Sequence, residues 1–205
     1  MKKIFIFLVF VALIFSFSAC SENISEDSNI SSAVIKDTVN TTPLPLPNEN
    51  TKFSFLSGSG AWRTDLTLNT DGTFTGHYLD SEMGIMGEDF PNGSAYISNF
   101  SGNFTDIEKI NDYSYKMNLS NVKTEKKPHE SWIEDGIKYI ASEPYGIEKG
   151  TEFILYLPNT PISELSKEFL SWCHYEREQN TKPDSTLSCY GILNVETNYG
   201  FFYTE

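Results

Sequence analysis

From about residue 51 onward the chain alternates between apolar and polar positions. In WRTDLTLN, Trp62, Thr64, Leu66 and Leu68 share one face, while Arg63, Asp65, Thr67 and Asn69 share the other. A period of two predicts a strand with one dry and one wet side. Asn69-Thr70-Asp71-Gly72 then reads as a tight turn in which Gly72 takes positive φ, and TFTGHYL returns with Phe74, Gly76 and Tyr78 on one face. Similar segments follow at SAYISNFSGNF, YSYKMNLSNV, GIKYIAS, EFILYL, SCYGILNV and GFFY, and a short FSFL precedes them. Within YSYKMNLSNV the expected inward set is Tyr113, Tyr115, Met117 and Leu119, with Ser114, Lys116, Asn118 and Ser120 outward. The sum is about eight or nine short antiparallel strands. So many strands in one domain predict a closed or nearly closed β-barrel, because closure removes exposed edges.

One segment changes period. In NTPISELSKEFLSWCHYER, Thr160 suits a helix cap and Pro161 the first helical position, and Ile162, Leu165, Phe169, Trp172 and Cys173 recur at helical spacing. The expected fold is therefore mainly β, an antiparallel barrel with one late α-helix that packs on the sheet or closes one barrel end. Residues 178–185, EQNTKPDS, read as a loop.

The chain before this domain has a different pattern. Lys2 and Lys3 precede an unbroken apolar run from Ile4 to Phe15, followed by Ser16, Ser18 and Ala19. The run is shorter than the roughly 20 residues of a membrane-spanning helix and has no polar face, so it reads as an export signal. From Ser21 to about Asn50 the composition is Ser, Asn, Thr and acids, that of a polar tether reaching on the order of 30 Å. Pro43, Pro45 and Pro47 alternate with Thr42, Leu44 and Leu46 and predict an extended end to it. The organisation expected is a signal at 1–19, a tether at 20–50 and a β-barrel domain at 51–205.

At the junction, Phe17-Ser18-Ala19-Cys20 resembles the lipobox of bacterial lipoproteins, with Phe17 in place of the usual Leu. The resemblance implies that the Cys20 sulfur carries a diacylglyceryl group, that Cys20 becomes the first residue after cleavage, and that acyl chains hold it on the extracytoplasmic face of the cell membrane. In organisation the chain is similar to exported lipoproteins of Gram-positive bacteria. The ordinary alternative is a secretory cut nearby that releases the protein.

Charge narrows the partners. The chain has 15 basic and 28 acidic residues, a formal net charge of −13, and residues 1–19 hold two of the lysines and no acid. Such a charge repels nucleic acid and anionic head groups, and no basic stripe exists for a phosphate backbone to follow. A covalent lipid is then what keeps so acidic a domain at a membrane.

Gly60-Ala61-Trp62, opening the first long strand, is similar to the Gly-x-Trp signature of lipocalins and lipocalin-like bacterial domains. That resemblance implies an up-and-down barrel in which the Trp closes one end and a small apolar molecule is held inside. The late Arg that often pairs with this Trp is missing, since no Arg follows Arg177. The inward aromatic residues Trp62, Phe74, Tyr78, Tyr113 and Tyr115 are the pocket candidates, and they either line a cavity or fill it.

Motifs of catalysis are absent. His77, His129 and His174 are far apart and lack metal-site spacing, and there is no Gly-x-Ser-x-Gly elbow, phosphate loop or dinucleotide fingerprint, so neither an enzyme nor a cofactor is expected. The connection LDSEMGIMGEDFPNGS gathers Asp80, Glu82, Glu88 and Asp89, weak calcium candidates without EF-hand spacing. It also reads as a mobile lid with Met83, Ile85, Met86 and Phe90 as adaptable contacts. Cys173 and Cys189 are the only cysteines besides Cys20, and pair as a disulfide or stay as two buried thiols.

Three functions follow as expectations. The first is a surface-anchored lipocalin-like module that binds a small apolar ligand or a peptide. The second is a solid-core protein acting on an envelope partner. The third, an envelope hydrolase, trails because the sequence shows no nucleophile with its base; His77, Asp80 and a serine clustered in one cleft would revive it.

Overall fold

The computed structural model describes residues 42–173 and 185–204. The expected signal, Cys20, most of the expected tether, His174 and the loop at 178–184 lie outside the described residues. The strands are β1 (Thr51–Leu56), β2 (Trp62–Leu68), β3 (Thr73–Glu82), β4 (Ser94–Asn111), β5 (Ser114–Thr124), β6 (Ser131–Glu134), β7 (Ile137–Ala141), β8 (Glu152–Tyr156), β9 (Gly191–Asn194) and β10 (Gly200–Tyr203).

Eight of them close the expected barrel. The order β3-β2-β1-β10-β9-β8-β5-β4 returns to its start through a β3–β4 pairing, and every neighbour in this ring is antiparallel. The chain therefore goes round as an up-and-down meander, with the β6–β7 hairpin inserted between β5 and β8. That hairpin lies outside the ring: β7 runs parallel to Ser94–Ile97 of β4, while β5 pairs with β4 from Phe100 onward. Between them, at Ser98 and Asn99, β4 passes from one neighbour to the other.

The Asn69–Gly72 turn forms as expected. Gly72 has φ +87° and its N–H donates to the Asn69 carbonyl at 3.0 Å. The N–H and hydroxyl of Thr73 donate to Asp71, which holds that carboxyl below its ordinary range. Strand β6 is an addition to the expected set, and β4 continues well past Phe104.

An eight-stranded ring leaves an interior just wide enough for side chains. Phe53, Phe55, Leu66, Leu68, Phe104, Met117, Phe153, Leu155 and Phe201 fill it, all almost wholly removed from water. Glycines make room for the rings: a Cβ on Gly76 would stand 2.2 Å from Phe100, and one on Gly102 would stand 2.6 Å from Phe74. Leu44 joins this core at 2 % exposure and Leu46 packs beside it, with the Leu44 N–H donating to Thr70. The alternation of leucine and proline over residues 43–47 thus seats leucines on the barrel.

A second apolar cluster lies on the outer face of β8, β9 and β10. Ile154, Tyr156, Leu193 and Phe202 are covered by Ile162, Leu165, Phe169, Cys173 and Leu187 from the β8–β9 connection. The predicted late helix is present there but short. It is α1 (Lys167–Ser171), preceded by a 3-10 turn at Ile162–Glu164. Leu165 between them is extended, and Ser166 rather than Thr160 is the cap, accepting from the Phe169 N–H. Pro161 sits in a β-bridge with Thr186, and the Thr160 hydroxyl donates to the Leu157 carbonyl.

Candidate functional site

The barrel end between β1 and β2 is where the sequence points for a pocket. Trp62 opens β2 there, after a turn in which Gly60 has φ +75°, and its ring meets Phe55 at 4.7 Å and Tyr145 at 5.1 Å. Tyr78 reaches the same group through Tyr145 at 5.5 Å, and Trp172 and Tyr199 lie 4.8 Å from Phe55. Centroid spacings of this size are those of rings in direct contact. The mouth is packed with aromatic side chains.

Tyr145 belongs to a segment, residues 144–150, that plugs the mouth. The Ile147 N–H donates to the Pro144 carbonyl, which tightens the turn, and Ile147 is wholly buried. Two distant side chains hold the segment in place: the Thr64 hydroxyl donates to the Tyr145 carbonyl at 2.8 Å, and the Asn194 amide donates to the Gly146 carbonyl at 2.9 Å. Gly146, at φ +92°, lies against Phe55 and Phe201, where a Cβ would collide. The β3–β4 loop, read from sequence as a lid, leaves Met83, Ile85 and Met86 in solvent.

Burial sets the electrostatics of the plug. It pushes the phenols of Tyr78 and Tyr145 well above their ordinary value, helped by Asp80 beside Tyr78 and by the Tyr199 hydroxyl, 3.3 Å from that of Tyr145. Both therefore stay neutral. Burial also raises the carboxyl of Glu148, whose Oε2 has no hydrogen-bond partner among the described residues.

The five pocket candidates divide. Trp62 and Tyr78 meet in the mouth through Tyr145. Phe74 is in the barrel core against Phe100 and Phe104, and Tyr115 packs at the edge of that core. Tyr113, expected on the inward face, precedes β5 in the turn and belongs to neither cluster. Its carbonyl accepts from the Leu157 N–H. The alternation of YSYKMNLSNV holds only once the strand has begun.

The acidic loop residues stand separately: Asp80 and Glu82 end β3, and Glu88 and Asp89 lie further along the loop. Among the described residues no three of His, Cys, Asp and Glu converge as a metal site. Asp80 instead accepts from the Tyr78 hydroxyl at 3.4 Å. Cys173 and Cys189 both pack in the outer apolar cluster, Cys173 buried and Cys189 half-buried.

His77 and Asp80 do not meet in one cleft, because they are an odd number of positions apart on β3 and face opposite sides. His77 lies outside, in a polar row that crosses four strands. The hydroxyl of Ser54 and the guanidinium of Arg63 each donate to Asp65 at 2.6 Å, Asp65 stands opposite His77, and His77 Nδ1 is 2.7 Å from Asn99 Oδ1. The Asn99 amide then donates to Glu125 at 2.9 Å. Sequence reasoning gave Ser54, Asp65, Asn99 and Glu125 no role. The register between β2, β3 and β4, which follows from the Asn69–Gly72 turn and the strand alternation, is the signal that aligns them.

No protein-family profile, curated protein or solved structure gives a match to this chain.

Proposed function

We propose that the protein is a lipid-anchored lipoprotein of the cell surface, held through Cys20, whose barrel is a solid scaffold that acts through its exterior on a partner in the cell envelope. The observation that carries this reading is the filled interior, with Tyr145 and Ile147 closing one end and Leu44 packed into the core beside the Asn69–Gly72 turn at the other. A carrier of apolar molecules needs an enclosed space lined by such residues. Here those residues touch one another instead. The acidic balance supports attachment by a covalent lipid, because an unlipidated acidic domain is repelled by anionic membranes.

Native mass spectrometry of the whole protein extracted in detergent tests the scaffold. The expected species is the mature chain with its lipid alone, and a further apolar mass lost on denaturation overturns the reading in favour of a carrier. Cys20→Ser tests the anchor: the variant is expected to leave the membrane fraction and lose incorporated fatty acid.

A further inference from the structure

The outer wall of the barrel carries a groove along β3, β4 and β5. Its wider part, about 320 Å³ of open space, is lined by Thr75, Ser101, Lys123, Asn99 and Glu125. A smaller hollow continues it where β4 passes from β5 to β7, sharing Asn99 and Glu125 and ending at Trp132. Together they place hydroxyls, a carboxamide, a carboxylate and the ammonium groups of Lys123 and Lys126 along a strip that ends at an indole.

We infer that this groove is a binding site for a neutral glycan of the cell envelope, with Asn99 and Glu125 holding sugar hydroxyls and Trp132 as the stacking platform. The inference rests on the surface-acting reading above and names its partner. Asn99 and Glu125 are hydrogen-bonded to each other, and His77 fixes the far side of the amide. Vicinal hydroxyls, each both donor and acceptor, match such an amide and carboxylate pair. A pyranose presents one face of C–H groups, which suits the electron-rich face of an indole.

Trp132 is braced for this role. Tyr139, its cross-strand partner on β7, stacks against it at 5.4 Å and 19°. The Lys126 ammonium lies 4.7 Å over the ring, and Lys126 is an exposed residue that a sugar ring displaces. Within the groove Glu125 is offset by Lys123 and Lys126, so the lining carries no excess of positive charge suited to a polyanion beyond one ammonium group, and the net charge of −13 over the whole chain disfavours anionic polymers.

The test titrates the whole protein, in detergent, against a panel of neutral hexose and N-acetylhexosamine oligosaccharides, and sediments it with isolated cell walls stripped of anionic polymers. Saturable binding to at least one oligosaccharide is expected, with affinity at least tenfold weaker in Trp132→Ala and in Asn99→Ala, and restored in part by Trp132→Phe. Lys109→Ala, on a distant exposed ion pair, is expected to bind as the parent does, and melting temperatures check that the groove variants fold. Saturation of no member of the panel overturns the inference, as does binding that survives both alanine variants. Wall sedimentation unaffected by the groove variants sinks the groove but leaves an envelope partner standing; no sedimentation with walls and no envelope protein cross-linked on living cells sinks both.

Discussion

Two outer faces of one barrel have met opposite fates. Over β8, β9 and β10 the outward positions are Ile154, Tyr156, Leu193 and Phe202, and a long connection folds back to cover them. Over the middle of β2, β3 and β4 the outward positions include Asp65, His77, Asn99, Thr75 and Ser101, and the described residues leave this strip open. The alternation of strands is the same in both, so the backbone does not distinguish them. Outward side-chain chemistry does: apolar positions recruit a cover, and polar ones bond sideways and remain available.

The sharpest way to break this comparison is to remove the pin of the covered face. Phe169 is wholly buried, 4.8 Å from Phe202 and 5.3 Å from Tyr156, and it lies where a Cβ on Gly191 or Gly200 would collide. Phe169→Ala is expected to cost about 3–5 kcal/mol in urea unfolding, as large cavities in cores do. A cost under 1 kcal/mol would mean that the cover is ornamental.

The interior comes next. Gly76→Val puts a side chain where the Phe100 ring lies and is expected to cost roughly 1–3 kcal/mol through overpacking. A neutral result would reveal space in the barrel and weaken the scaffold reading.

On the open face, Asp65→Ala removes the acceptor of Ser54 and Arg63, yet its stability cost is expected to stay under about 1 kcal/mol, because the carboxylate is 39 % exposed. If it matches the cost of Phe169→Ala, the two faces do not differ as described.

The smallest effect is expected at the plug. Burial raises the Glu148 carboxyl, so the folded state binds its proton more tightly than the unfolded chain does. Its contribution to stability is therefore fullest in acid, where both states are protonated, and is lost as pH rises from the ordinary carboxyl range through the raised folded value. Glu148→Gln is expected to raise the melting temperature at pH 7 by on the order of 1–2 °C, with the gain fading as the pH drops. A gain that grows in acid would reverse the assignment.

Much of this barrel is readable along the chain because a half-buried strand has a period of two and a tight turn has its own residues. The β2–β3 hairpin states both, in WRTDLTLN and in Asn69 to Gly72. Strand β6 was equally available: Asp135 and Gly136, at φ +51° and +72°, form the turn between SWIE and IKYIA, but four residues beside a lysine-rich stretch make a weak alternation. The late helix was overdrawn because Ile162, Leu165, Phe169 and Cys173 are buried against the barrel whatever their backbone does, and burial alone produces the spacing read as helix. The plug was not legible at all. Its place depends on Thr64 and Asn194, which are remote in sequence and meet it only when the barrel closes.

Closure itself has a consequence for the order of events in time. β1 finds β2 at once, but its other edge waits for β10, where Phe53 pairs with Tyr203. Until Tyr203 has emerged, a chain released segment by segment carries an unpaired strand bearing Phe53 and Phe55. Pairing so distant in sequence is slow to form, and an open apolar edge invites pairing with another chain. A helper that shields β1 during synthesis is therefore most useful early, and of little use once the ring has closed.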